Sequence, residues 1–261
     1  MRAALAAARI GFTHVFAFRA EVAIQLVSIS IVAALNGSLW TVATEGRTQI
    51  AGVPAEEMRA YVLVAWVAVS FVATRVNEDI GRRFREGHIA GDLLRPMTLQ
   101  AFWYARDVGR ALATLLVQST PLFLGIFLIA GVPLPTRPET WALTLLSLLL
   151  GHATNYGLSF LVGIAALPMR NISGLTHLKS TLVSVFSGAL IPIELFGPTL
   201  SPLVYALPFR AMAHTPASIF LERAPDVLPL LAFQAAWAGG LWIAGVLAWR
   251  AAANTLTVQG G

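Results

Sequence analysis

The residues of this chain that could do chemistry are few and poorly matched to one another. Its five histidines, His14, His88, His152, His177 and His214, form no H-E-x-x-H motif and no close pair, so no metal site is read from them. Cysteine is absent, which excludes disulfides, thiolate metal sites and cysteine nucleophiles. Gly174 to Ser180, GLTHLKS, has the lysine and the serine of a P-loop, with its one glycine a position too close to the lysine. Leu178 stands where the second glycine must let backbone amides close on phosphate, so this chain is not expected to hold ATP itself. No G-x-S-x-G elbow occurs, and Glu56 and Glu57 are neighbours that point different ways on a helix. No residue is therefore assigned to catalysis, to a cofactor or to a metal.

Three polar residues in apolar surroundings are candidates for a gate or pathway. His152 and Asn155 sit with Tyr156 inside an uncharged run, where they are either hydrogen-bonded packing groups or part of a polar path. Glu194, in IPIELFGP, either caps a break in the chain or marks a substrate path.

Charge is concentrated in one place. Arg75, Arg82, Arg83, Arg85, Arg95, Arg106 and Arg110 share one stretch with Glu78, Asp79, Glu86, Asp92 and Asp107. Ile80 and Phe84 are four apart, as are Ile89 and Leu93, with arginines on the faces between them. The pattern predicts one or two short amphipathic helices, loosened by Gly81, Gly87 and Gly91 and ended by Pro96. Such a segment either rests on lipid headgroups or fits a groove on a partner protein, and its alternating acids and bases favour the partner.

The elements that must position these residues are set by composition. Of 261 residues, 57% are hydrophobic and 12% charged, and mean hydropathy is +0.72. A soluble domain carries about 25% charged residues. Val22–Thr44, Ala60–Thr74, Ala111–Thr136, Thr140–Met169, Ile172–Ile193 and Val227–Trp249 are read as six spans. Residues 1–20 suit a helix lying in the membrane interface. Residues 194–226 hold Gly197, Pro198, Pro202, Pro208 and Pro216, and read as a re-entrant segment on the outer side. Thirteen of the eighteen basic residues lie on the side of both termini and the charged stretch, which makes that side cytoplasmic. The net charge of +5 sits beside apolar spans, so no nucleic-acid partner is expected.

The segment IGRRFREGHIAGDLLRPM resembles the signature between spans two and three of the short ABC-2-type transport permeases, at Gly87, Ile89, Leu93, Leu94 and Pro96. FSGALIPIELFGP followed by LPF is similar to a second motif of that group, at Ser187, Gly188, Pro192, Pro208 and Phe209, and the tail TLTVQGG to its C-terminus. The resemblance implies an all-α integral membrane protein with a cytoplasmic coupling helix within residues 78–100. It implies an exporter subunit in a bacterial inner membrane, with both termini cytoplasmic. The partners would be separate ABC ATPases that carry ATP and Mg, a second identical or related permease, and lipid. Glu86, Gly87, Leu93, Leu94, Arg95 and Pro96 would make the ATPase-coupling region, with Phe84 and Ile89 as its apolar anchors. An ion-coupled secondary transporter and an intramembrane enzyme using His152 are the competing readings.

Overall fold

A backbone in lipid must satisfy its own polar groups, so long apolar stretches close into helices. A computed structural model of the chain describes residues 2–17, 19–88, 91, 97–169 and 171–255. Five helices in it are long and apolar enough to cross a membrane: Ala20–Thr44, Ala55–Arg85, Leu99–Ala130, Pro138–Ala165 and Leu228–Ala253.

Helix α1 (Arg2–Ala17) leads into α2 (Arg19–Thr44). A two-rung hairpin, Gln49–Ile50 with Val53–Pro54, then turns the chain into α3 (Ala55–Val72). The second span was expected to stay helical to about Asn77. It stops at Val72, Ala73 turns extended, and a new helix, α4 (Val76–Arg85), starts three residues later. Asn155 Nδ2 donates to the carbonyl of Val72 at 2.8 Å, and Thr74 Oγ1 accepts from Val76 N at 3.3 Å. These contacts replace the helical bonds lost at the elbow.

The third span was expected from Ala111. It starts at Leu99, because Thr98 caps α5 (Leu99–Thr114) by accepting from Ala101 N, and nothing before Gly131 breaks the helix. Arg106, Asp107 and Arg110, expected in the charged stretch before the third span, thus lie on the spanning helix. A π-turn, Leu115–Ser119, joins α5 to α6 (Thr120–Ala130). Pro121 explains it: proline removes a helical N–H and crowds the carbonyl one turn back, and widening the turn relieves both. The bulge turns Gln118 and Ser119 inward, where Gln118 Nε2 donates to Gln25 Oε1 at 2.9 Å.

Helix α7 (Pro138–Ala165) is the scaffold. It is followed by α8 (Ser173–Phe186), whose 14 residues fall short of the fifth span expected over Ile172–Ile193. Short pieces finish the passage: 3-10 turns at Ile193–Phe196 and Pro208–Met212 flank α9 (Gly197–Ala206), and α10 (His214–Phe220) follows. Glu222 then accepts from Thr136 N, Arg137 N and the Thr140 hydroxyl at the first turn of α7. The chain between Ala165 and Glu222 therefore travels the length of α7, about 42 Å at 1.5 Å per residue. Helix α11 (Leu228–Thr255) returns along α7. Gly157 of α7 admits α11 closely, since a Cβ there would lie 2.7 Å from Leu241 Cβ.

The small face of α1, Ala7, Gly11 and Val15, is buried, while Leu5 and Phe16 are exposed. Its partner is α5. A Cβ on Gly11 would lie 1.8 Å from the Arg106 carbonyl oxygen, and one on Gly109 1.8 Å from that of Ala8. Two glycines thus bring two backbones into contact, as small residues do where lipid removes the hydrophobic drive to associate. Gly11→Val should lower the thermal midpoint of the purified protein, through an overpacking cost of about 1–3 kcal/mol. The same change at exposed Ala6 should leave it unaltered.

Candidate coupling and pathway site

Helix α4 is amphipathic, and its apolar face is turned into the protein. Val76, Asn77, Ile80 and Gly81 are buried, and Ile80 packs with Phe102, Trp103, Tyr156 and Phe160. Phe84 packs partly against the same cluster. Ile80 and Phe84, expected to anchor a partner's groove, are instead spent on the chain's own core. What α4 offers outward is its charged rim, with Arg82, Arg85 and Glu86 exposed.

The helix is tied to three others. Gly163 of α7 lets it approach, since a Cβ there would lie 3.2 Å from Asn77 Cα. Asn77 Nδ2 donates to Thr176 Oγ1 of α8 at 2.8 Å. Arg83 lies over the Trp103 ring of α5, 5.9 Å from its centroid. The end of α4 shows why a glycine belongs at position 87. His88 N bonds to Arg83 O and Gly87 N to Phe84 O, with Gly87 left-handed at φ +72°. This is a Schellman stop, which a side chain at that position would strain. Glu86 is within 3.3 Å of His88 Nδ1. Ile89, Leu93, Leu94, Arg95 and Pro96 lie outside the described residues.

His152 and Asn155 face the elbow. Next to them is a residue not singled out by the sequence: Asp107 of α5, only 5% exposed. Arg110 NH2 donates to Asp107 Oδ1 at 2.5 Å and approaches Thr74 Oγ1 at 3.4 Å. His152 Nε2 is 3.4 Å from Asp107 Oδ2 without hydrogen-bond alignment. Asp107 Oδ2, both His152 nitrogens and Asn155 Oδ1 are buried without a hydrogen-bond partner among the described residues. The signal for Asp107 was present: a carboxylate three residues before Arg110, in a run without breakers from Leu99 onward.

Glu194 belongs to a different group. It lies near the start of α3, whereas His152 lies near its end, about 20 Å away along the helix. Arg223 stands between two carboxylates, 3.7 Å from Glu194 Oε1 and 3.8 Å from Glu57 Oε2, and over the Tyr61 ring. The Tyr61 hydroxyl and His214 Nδ1 are 2.9 Å apart, joining α3 to α10. Glu194 is thus part of an ionic cluster that fastens the broken segment to α3. Among the described residues no cluster of His, Cys, Asp and Glu could hold a metal ion.

The geometry defines a multi-pass helical membrane protein with a short charged helix packed against three of its other helices. A sequence model of the family described as "ABC-2 family transporter protein" matches residues 30–260, and the chain belongs to that family. It is the membrane permease component of an ABC-type transporter, a class that works with an ABC ATPase. No curated protein and no solved structure is significantly similar to it.

Two measurements test this geometry. Asp107→Ala leaves Arg110 as an uncompensated charge and should cost about 3–5 kcal/mol, read as a fall in thermal midpoint. Arg75→Ala, whose pair with Glu21 at 2.6 Å is half exposed, should cost no more than about 1 kcal/mol. Separately, the Thr136 hydroxyl, the Arg137 amide and the Thr140 hydroxyl hold the Glu222 carboxyl below the usual carboxylate value. Its contribution is therefore present above about pH 4.3 and lost as pH falls through its lowered value. Glu222→Gln should make the thermal midpoint less sensitive to pH in that acid window.

Proposed function

We propose that this chain is the membrane subunit of an ATP-driven exporter, in which α4 converts closure of separate ATPase subunits into movement of the spans. One observation supports the reading most. Helix α4 continues α3 through a three-residue elbow and touches α5, α7 and α8 at once. A push on its charged rim would reach three spanning helices and α8 together.

In this reading the basic end faces the cytoplasm, both termini lie there, and the membrane is a bacterial inner membrane. The motor docks on Glu86 and Gly87 and on the following stretch with Ile89, Leu93, Leu94, Arg95 and Pro96. ATP and Mg belong to the motor, and phosphoryl transfer takes place there. A second permease, identical or related, completes the membrane pair. The alternative, an ion-coupled transporter, draws on one observation, the buried Asp107–His152 pair, since intramembrane ionisable groups mark ion paths.

Expression of the permease with a candidate ABC ATPase from the same organism tests both readings. The exporter reading expects the ATPase to copurify. Leu93→Asp or Glu86→Arg should lower ATP-driven transport in proteoliposomes by about tenfold, the loss of one charge-assisted or buried contact, with the permease still folded. Transport that needs an ion gradient, ignores ATP and survives both substitutions would establish the alternative.

A further inference from the structure

At the basic end, α1, the start of α2, α4, α5 and the start of α8 enclose a cavity of about 560 Å³. Five guanidinium groups line it: Arg75, Arg82, Arg85, Arg106 and Arg110. Three are matched by carboxylates on the same wall, Arg75 by Glu21 at 2.6 Å, Arg82 by Asp79 at 2.7 Å and Arg110 by Asp107 at 2.5 Å. Arg85 and Arg106 are not: among the described residues no carboxylate lies within ion-pair distance of either, the fourth lining acid, Glu78, included. Arg106 is half-buried and held against the Trp103 ring, 4.9 Å from its centroid, which fixes the plane of the guanidinium without cancelling its charge. The Arg85 guanidinium reaches over Gly81 beside Ile172, with NH1 3.4 Å from where a Gly81 Cβ would stand.

Ile172 immediately precedes α8, and the first turn of α8 lines the same cavity. That turn carries no acid. Ser173 N donates to Asn171 Oδ1, and Thr176 N to the carbonyl of Ile172. Nothing lies within 4 Å of the Cβ position of Gly174, so space at that turn is open. This is the GLTHLKS run that lacks a P-loop glycine. Its lysine is turned away: Lys179 Nζ donates to Ser159 Oγ at 2.9 Å in the core. The cations that face the turn come from α4 and α5.

We propose that this cavity binds a phosphate-bearing anion between Arg85, Arg106 and the acid-free first turn of α8. A tetrahedral oxyanion offers enough oxygens for two guanidinium forks and a helix N-terminus at once. The lining carries five arginines against four carboxylates, and of the two arginines without an ion pair Arg106 is half-buried, where a charge gains most from an anionic partner. The bound group ties α4, α5 and α8 together at the point where they meet. It is either the headgroup of a phospholipid from the adjoining leaflet or a soluble phosphate. The proposal stands apart from the transport reading, because it requires neither ATPase nor cargo.

The thermal midpoint of the full chain is measured in phosphatidylcholine nanodiscs, with inorganic phosphate added to the buffer or with phosphatidylglycerol added to the bilayer. Ligand that binds only the folded state raises the midpoint with its concentration. A rise with inorganic phosphate identifies the soluble source; a rise confined to phosphatidylglycerol identifies the headgroup. In the double variant Arg85→Gln/Arg106→Gln the concentration for half the rise should increase by about tenfold or more, as two charge-assisted donors are lost. Arg47→Gln, outside the cavity, should leave it unchanged. Ser173→Asp puts a carboxylate on the same turn and should abolish the response to either probe. No rise in the wild-type protein, or a full rise in both the double variant and Ser173→Asp, overturns the proposal.

Discussion

The amide of Asn155 on the carbonyl of Val72 is the contact on which the architecture turns. A helix inside a membrane protein can stop only where other groups take over its backbone. By accepting that cost at Val72, the chain starts α4 afresh and packs it against α7, where Gly163 makes room for it. Arg110 and Thr74 steady the other side of the elbow, and Arg110 is itself held by Asp107. The interruption in α3, the buried charge on α5 and the notch in α7 are one arrangement. Without the first, the charged rim of α4 would continue along a span and face nothing outside.

The opposite end solves a related problem. The passage from Ala165 back to Glu222 is made with one half-length helix and several short pieces. Its broken backbone is sheltered: Gly151 of α7 lies against the Ala211 carbonyl, and Gln234 of α11 donates to the same carbonyl at 2.8 Å. Its far end is fastened twice. Glu222 adopts a left-handed conformation at φ +53°, uncommon for a residue with a side chain, and places its carboxylate on the first turn of α7. Arg223, next in the chain, takes up Glu194 and Glu57. Capping a helix N-terminus with a carboxylate from a distant segment is favourable through both hydrogen bonds and the helix dipole.

Much of this was legible in the residues. The long uncharged runs located all five spanning helices, and the prolines after Pro192 marked the broken segment. The ends of the helices were read less well, because charge was taken as a boundary. Arg106, Asp107 and Arg110 did not stop α5: Asp107 and Arg110 pair with each other one turn apart, Arg110 also reaches Thr74 of the elbow, far off in sequence, and Arg106 lies over the Trp103 ring. Likewise, the 3.6-residue spacing of Ile80 and Phe84 announced an amphipathic helix but not which side its apolar face would take. That was decided by a glycine more than seventy positions later. Gly87, read as loosening the amphipathic segment and as part of a family motif, has a local cause in the helix stop it makes.

The central claim is that α4 and the spans it touches move as one body when a motor pulls. The natural absence of cysteine allows spin labels at chosen pairs without background. In the complex with its ATPase, pulsed electron spin resonance distances would be measured from Glu86→Cys to Gly174→Cys, and from Glu86→Cys to Glu139→Cys at the far end of α7. A rigid lever predicts that ATP leaves the first distance unchanged, and that the two copies of Glu86→Cys in the assembled pair move relative to each other. An ATP-dependent change between Glu86→Cys and Gly174→Cys, with the spans otherwise still, would contradict the account.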